Sequence, residues 1–230
     1  MSNQKDTLGD RIKRYESVSK PLLTRRSPVM VRVDGKAFHT FTRGSEKPFD
    51  QDLIDCMVYA TEMTARNMQG FELAYTQSDE ATFMLWDFRT TESGAWFDYE
   101  INKIVSITAS MFTAFFNSRW VELGRKKHLH AFFDARAFNV PYDDWPNVFV
   151  WRQRDWERNS VQMMARSLYS QKELHGKNNF ALLQLIEAKG LDWNNLNPQN
   201  KYGTFIDQNF SHHSIRVNYE LLRAVEGWEK

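Results

Sequence analysis

The chain has 230 residues, a formal net charge of +1, 42% hydrophobic residues and 26% charged residues, so it is long enough to bury a core and too apolar to be intrinsically disordered. Its single cysteine, Cys56, excludes an intrachain disulfide and a cysteine-rich zinc site and points to a reducing compartment. No apolar run is long enough to span a bilayer and Met1-Ser2-Asn3-Gln4-Lys5-Asp6 lacks a signal-peptide pattern, so a cytoplasmic protein with no membrane partner is expected.

After a polar start, Pro28 precedes the β-branched run Val29 to Val33, a strand that Gly35 terminates. A loop through Arg43-Gly44-Ser45-Glu46-Lys47-Pro48 leads to Asp50, placed to cap a helix. In that helix Leu53, Ile54, Met57, Val58 and Ala60 recur at helical spacing as far as about Met68, and Gly70 stops it. Phe71 to Tyr75 and Ala81 to Trp86 read as strands joined by the polar turn Thr76 to Glu80. Asp98 and Glu100 favour a helix start before the stripe Ile101, Ile104, Val105, Thr108, Phe112 and Phe115. A strand from about Leu129 to Phe138 follows. The order β-α-β-β-α-β is the split βαβ, or ferredoxin-like, unit: an α+β antiparallel sheet with helices on one face.

Beyond Pro141 the pattern is mostly helical: about Asp143 to Tyr169, then Phe180 to Ala188. Asn194 to Pro198 reads as a loop, and His212 to Asn218 as a terminal strand or extended segment. The expected organisation is a catalytic core over 1–140 and a helical extension over 141–230 packed on it within the same structural domain.

A right-handed crossover leaves a gap between the first two strands into which the third returns antiparallel. Its hairpin turn then lies beside the end of the first strand, which makes Asp34 and Asp79 neighbours. Two ionised carboxylates at close range repel, so a site that keeps both usually holds a divalent cation. An isolated Asp-Gly is more often a turn or strand-end cap, and it is the converging pair that shifts the reading. Asp34, Asp79 and the Gly35 carbonyl suit Mg²⁺, with Glu80 as a third catalytic carboxylate. Two ions roughly 3.5–4 Å apart would activate an attacking oxygen and neutralise a leaving pyrophosphate. Lys47 is placed to contact a triphosphate, Lys103 to meet phosphates from the start of the second helix, and Ser78 to donate a hydrogen bond. His39, close to Asp34, suits base contact or proton transfer, although a lone loop histidine is more often structural.

The near-zero charge makes no global case for nucleic acid. Local groups do more: Arg25-Arg26, Arg125-Lys126-Lys127-His128, and Arg152, Arg154 and Arg158 beside Trp151 and Trp156. Each is individually an ordinary solvated face; together with the tryptophans they suggest a phosphate-backbone surface with stacking groups.

Arg32-Val33-Asp34-Gly35-Lys36-Ala37-Phe38-His39, Glu46-Lys47-Pro48 with Asp50, and Tyr75-Thr76-Gln77-Ser78-Asp79-Glu80 resemble the tRNA-His guanylyltransferase superfamily. The resemblance continues through Asn102-Lys103-Ile104-Val105-Ser106, Phe133-Asp134-Ala135-Arg136 and Trp151-Arg152-Gln153-Arg154-Asp155, covering most of the chain in order. It implies a polymerase-like palm and nucleotide addition in the 3′-to-5′ direction: ATP adenylylates the 5′-monophosphate of a tRNA, and the 3′-hydroxyl of an incoming nucleoside triphosphate, GTP included, attacks that end. It implies Asp34, Gly35 and Asp79 as ligands of two Mg²⁺ ions, and Lys36, Ala37, Phe38, His39, Lys47, Asp50, Ser78 and Lys103 around the nucleotide. RNA contacts are expected at Arg136, Arg152, Asn159, Lys172 and Lys177, and a homotetramer in which more than one subunit touches the RNA.

One departure matters. Eukaryotic members carry His-Ile-Asn-Asn-Leu-Tyr-Asn where this chain has Glu157-Arg158-Asn159-Ser160-Val161-Gln162-Met163. With Lys172-Glu173-Leu174-His175-Gly176-Lys177, this looks like the guanylyltransferase-like proteins of bacteria and archaea, implicated in template-dependent repair of 5′-truncated tRNAs. The alternatives are addition of a single guanosine, a nucleotidyl cyclase, against which stands the absence of a Gly-Gly-Asp/Glu-Glu-Phe signature, and an RNA-binding protein without catalysis.

Overall fold

The computed structural model describes residues 7–125 and 130–225; Lys126, Lys127 and His128 of the basic run, and Leu129, lie outside the described residues. A capping box between Thr7 and Asp10 opens α1 (Leu8–Ser17). Strand β1 (Val29–Gly35) leads into a one-turn helix α2 (Phe38–Phe41) and then α3 (Gln51–Ala65), whose N-cap is Asp50. A hairpin follows, β2 (Phe71–Gln77) and β3 (Glu80–Leu85), then α4 (Ile101–Glu122) and β4 (Phe133–Asn139). The rest holds α5 (Trp145–Leu168), α6 (Gln171–Leu174), α7 (Asn179–Glu187), α8 (Pro198–Tyr202), β5 (Thr204–Ile206), β6 (His212–His213) and α9 (Tyr219–Val225).

All six strands form one sheet in the order β4-β1-β3-β2-β5-β6, and every neighbouring pair is antiparallel. The third strand sits between the first two, as the sequence order requires. The expected five-residue turn is only two residues long: Gln77 pairs with Glu80, leaving Ser78 and Asp79 as the loop. Ser78 has φ 51°, the left-handed geometry that a tight two-residue hairpin needs.

The two helices of the core lie on one face, as expected, and the extension covers the other. β2 and β3 are buried almost throughout, so both of their faces need cover. Val29, Val31, Val33, Ala81, Phe83 and Leu85 pack with the helix pair α3 and α4, whereas Met30, Leu73, Tyr75 and Met84 pack with Trp145, Phe149 and Val150 of α5. The C-terminal part also supplies strands, because β5 extends the sheet through the register Ala74↔Ile206 to Thr76↔Thr204. Three residues are too short to show an alternating pattern, and β5 has no sequence signal. Trp193–Asn195 forms a 3₁₀ turn and Pro198 starts α8 where a plain loop was expected. The buried stripe of α4 is Ile104, Thr108, Phe112, Phe116 and Trp120. Phe112 and Phe116 meet Phe133 at 4.7 and 5.1 Å, edge-on geometries that add to the burial of the rings themselves.

Candidate active site

The register that pairs Asp34 with Glu80 sets Asp79 just beyond the end of β1, and the Gly35 amide donates to the Asp79 carbonyl at 3.0 Å. The hairpin turn and the end of the first strand are thereby tied together by the backbone. Burial pushes the Asp79 carboxyl up from the ordinary carboxylate range and the Asp34 charge adds to this, while a 2.9 Å hydrogen bond from the Ser78 hydroxyl and a backbone hydrogen bond oppose it. Two half-buried acids that repel each other, with a main-chain carbonyl beside them, form an oxygen donor set suited to a hard divalent cation. Among the described residues no three His, Cys, Asp or Glu side chains converge as a metal cage, and an ion held here would take its remaining ligands from water and substrate.

Beyond this floor opens a cleft of about 780 Å³. One wall is the segment from Gly35 to Asp50, including His39, Arg43, Glu46 and Lys47; Ser78 and Asp79 form the base; Met163, Arg166 and Ser167 on the last turns of α5 form the other wall. The first wall is held by its own sequence. Phe38 and Phe41 turn into the aromatic cluster, Phe38 lying 5.0 Å from Phe133 and Phe41 5.1 Å from Trp120, which leaves His39 exposed toward the cleft. Ala37 takes a left-handed φ of 53° to make that bend.

Several expected site residues have other work. Asp50 is buried at the edge of the cleft it helps to line; it accepts from the Leu53 and Glu46 amides and from Arg125, so its carboxylate caps α3 and closes the loop. Phe38 presents only its backbone, because its ring belongs to the core. Lys36 is exposed beside the cleft but is not among its lining residues. Lys103 is not brought to the cleft within this chain. Thr113 and Asn117 of α4 bond to Phe133 and Ala131 at the Gly35 end of the sheet, and Lys103 lies about 15 Å further along the helix axis, where the first turn bonds to Pro21 and Ser19.

Glu80 is a positioning residue. Its carboxylate accepts from Arg152 Nη2 at 2.6 Å and lies 2.6 Å from Arg152 Nε, while Arg32 stands 4.0 Å away. Burial raises the Glu80 carboxyl, and Arg152 and then Arg32 act against it. The same pair corrects the expected RNA contact at Arg152: its guanidinium is buried under α5 and committed to Glu80. Trp156 is likewise buried, facing Phe49 at 6.3 Å, so of the two tryptophans only Trp151 is exposed. Arg136 is exposed on the edge strand β4, 3.3 Å from Asp134; Asn159 is half-buried and bonded to Asp155; Lys172 and Lys177 are exposed. Sequence reasoning missed Arg43, in the loop before α3, and Arg166 and Ser167, which carry no motif and become cleft residues only because the end of α5 packs beside that loop.

A family profile described as tRNAHis guanylyltransferase (Thg1) matches residues 9–141. A bacterial tRNA(His) guanylyltransferase-like protein solved in complex with ATP is 37% identical, with a TM-score of 0.89 over 95% of this chain and 96% of that one. A bacterial structure of the same description in complex with GTP is 35% identical, with a TM-score of 0.77 over 90% and 89%. The tRNA(His) guanylyltransferase of Schizosaccharomyces pombe is 31% identical over 163 residues, 65% of this chain and 56% of that protein, so the chain spans little more than half of that relative.

Proposed function

The chain belongs to the tRNA(His) guanylyltransferase family of nucleotidyltransferases, and on that premise we propose that it repairs tRNA 5′ ends by template-dependent nucleotide addition in the 3′-to-5′ direction. The observation that carries this reading is Asp79 at the base of a cleft whose walls present Lys47, Arg43, His39 and Arg166, tied through the Gly35 amide to the end of the strand that carries Asp34, whose charge Asp79 senses. We read the sheet as a polymerase-type palm, with the acids on its first strand and its central hairpin and residues 141–230 as the extension. Nucleoside triphosphates as substrates are supported by the ATP and GTP complexes of the two bacterial structures.

Asp34, Asp79 and the Gly35 carbonyl would hold Mg²⁺, which would neutralise polyphosphate charge and activate the attacking oxygen. The chain's own groups do the rest. Lys47 meets the polyphosphate as a mobile point charge, and the exposed His39 ring faces the same space. The Glu80–Arg152 pair holds the hairpin against α5, which fixes Asp79 relative to the α5 wall. In the proposed sequence a 5′-monophosphate takes AMP from ATP with release of pyrophosphate. The 3′-hydroxyl of the incoming triphosphate then bonds to that phosphorus and AMP leaves.

Template direction over obligatory guanosine addition is favoured by Met163. It stands in the cleft wall at the position of the last asparagine of the eukaryotic motif, and its thioether has no amide edge with which to select one base. A cytoplasmic homotetramer is part of the same proposal, checked by light scattering.

The test incubates the protein with 5′-monophosphorylated tRNA, Mg²⁺, ATP and labelled GTP. Asp34→Ala and Asp79→Ala should each retain the fold by circular dichroism and lose nucleotide addition on the order of a thousandfold, the loss of several kcal/mol of charge stabilisation. Product formed from nucleoside triphosphate without RNA would instead identify a cyclase.

A further inference from the structure

The α5 wall of the cleft carries a cation with no counter-charge. Arg152 of the same helix is bound by Glu80 and Arg158 by Asp155, whereas among the described residues no carboxylate engages the Arg166 guanidinium. Of the three carboxylates that share the cleft, Asp50 is taken by Arg125 and two backbone amides, Asp79 receives the Ser78 hydroxyl at the base, and Glu46, next to Lys47, forms no ion pair with Arg166. The next acid along the chain after Arg166, Glu173, accepts from Ser170 and turns back on its own short helix. Beside Arg166, the Ser167 hydroxyl donates to the Met164 carbonyl at 2.7 Å and leaves its lone pairs outward. Arg166 thus lines the same cleft as Lys47 and Arg43, on a different element from theirs, with Ser78 and Asp79 at the base.

An arginine in the last turn of a 24-residue helix also has an ordinary role, balancing the negative end of the helix dipole. That role needs no cleft. The fork of guanidinium donors, in a pocket whose other cations are Lys47 and Arg43 and whose acids are Glu46, Asp50 and Asp79, matches phosphate oxygens in geometry and charge.

We propose that Arg166 is a phosphate-binding residue of the cleft, holding either the polyphosphate of the nucleotide or the 5′-phosphate of the acceptor RNA from α5. This rests on the nucleotidyltransferase reading above and adds to it a binding group that belongs to no motif of the sequence. Because Arg166 is exposed, its replacement is expected to leave the fold intact, which the Tm of each variant checks.

The test uses the full chain as wild type, Arg166→Ala, Arg166→Gln and Arg166→Lys. Mg·ATP is titrated without RNA, the KM for 5′-monophosphorylated tRNA is measured at saturating ATP, and Tm is recorded for each protein. A rise of about tenfold or more in one of the two constants for Arg166→Ala and Arg166→Gln is expected, with Arg166→Lys recovering part of it. A raised ATP constant identifies the polyphosphate as the ligand, and a raised tRNA KM identifies the 5′-phosphate. Unchanged constants, with only Tm lowered by Arg166→Ala and restored by Arg166→Lys, would overturn the proposal and leave Arg166 as a helix-end cation while the wider reading stands. A wild type that binds neither Mg·ATP nor tRNA would remove both.

Discussion

Gly35 sits where β1 turns into the first wall of the cleft, and there is no space there for a side chain. A Cβ built on it would lie 2.3 Å from Cδ2 of Phe38, whose ring is packed among Phe41, Phe116 and Phe133. Gly35→Ala should therefore cost about 1–3 kcal/mol by overpacking and lower Tm by roughly 3–10 °C. Combining it with Phe38→Leu should recover part of the loss, and an unchanged Tm in the single variant would show that the ring yields freely. At this scale Asp34 and Asp79 were legible in the sequence, because strand order alone converts their separation into proximity. Arg152 was not. Its neighbours Arg154 and Arg158 made it look like one of a surface set, and its partner Glu80 is 72 residues away. A charge in sequence carries no sign of whether its partner is water or a buried carboxylate.

The hairpin β2–β3 and helix α5 are joined by that ion pair, with side-chain exposures of 9% for Arg152 and 11% for Glu80. Removing one partner leaves a buried charge, so Arg152→Ala or Glu80→Ala should each cost about 3–5 kcal/mol in urea unfolding. The double variant Glu80→Gln with Arg152→Met should cost less than the sum of its singles, and strict additivity would show that the two groups do not interact. A second element-scale device closes the β5–β6 turn. Burial tends to raise the Asp207 carboxyl, yet the His213 ring and the Ser211 and Asn209 amides bonded to it outweigh burial and hold it below its ordinary value of 3.8. A carboxyl depressed in the folded state stabilises fully above its unfolded value and loses that contribution as pH falls through the folded one. Wild type should thus be more stable than Asp207→Asn at neutral pH, with the Tm difference shrinking toward zero on acidification below about pH 4. A difference that grows with acidification would contradict the assignment. β5, with three residues, was not resolved by periodicity, whereas β6 opens the segment His212 to Asn218 that reads as a terminal strand or extended chain. The long elements β1, α3, α4 and α5 were resolved by it, because each repeats its apolar spacing over several turns or alternations.

For the whole molecule, the sheet separates two apolar layers, α3 with α4 on one side and α5 on the other. Helix α5 starts against Trp86 at one end of the sheet, through Trp145, and reaches the cleft at the other with Met163 and Arg166. Covering the second face and completing the cleft are thus one structural act; a helix over about Asp143 to Tyr169 was expected on the core, but which of its residues line a cleft was not legible. The acids, the loop with Lys47 and the hairpin follow from local sequence; the α5 wall follows only from packing. This arrangement predicts that residues on both walls act on one substrate pair, with the acids at the base essential and base identity set by the template.

The decisive measurement supplies a 5′-monophosphorylated tRNA lacking its first nucleotide, with Mg²⁺, ATP and each labelled nucleoside triphosphate in turn, to wild type and Asp79→Ala. Acceptor stems differing in the opposing base complete the set. Addition only of the complementary nucleotide, only by wild type, is the predicted result. Guanosine added whatever the opposing base, or no addition by wild type to any stem, would contradict templated 3′-to-5′ repair.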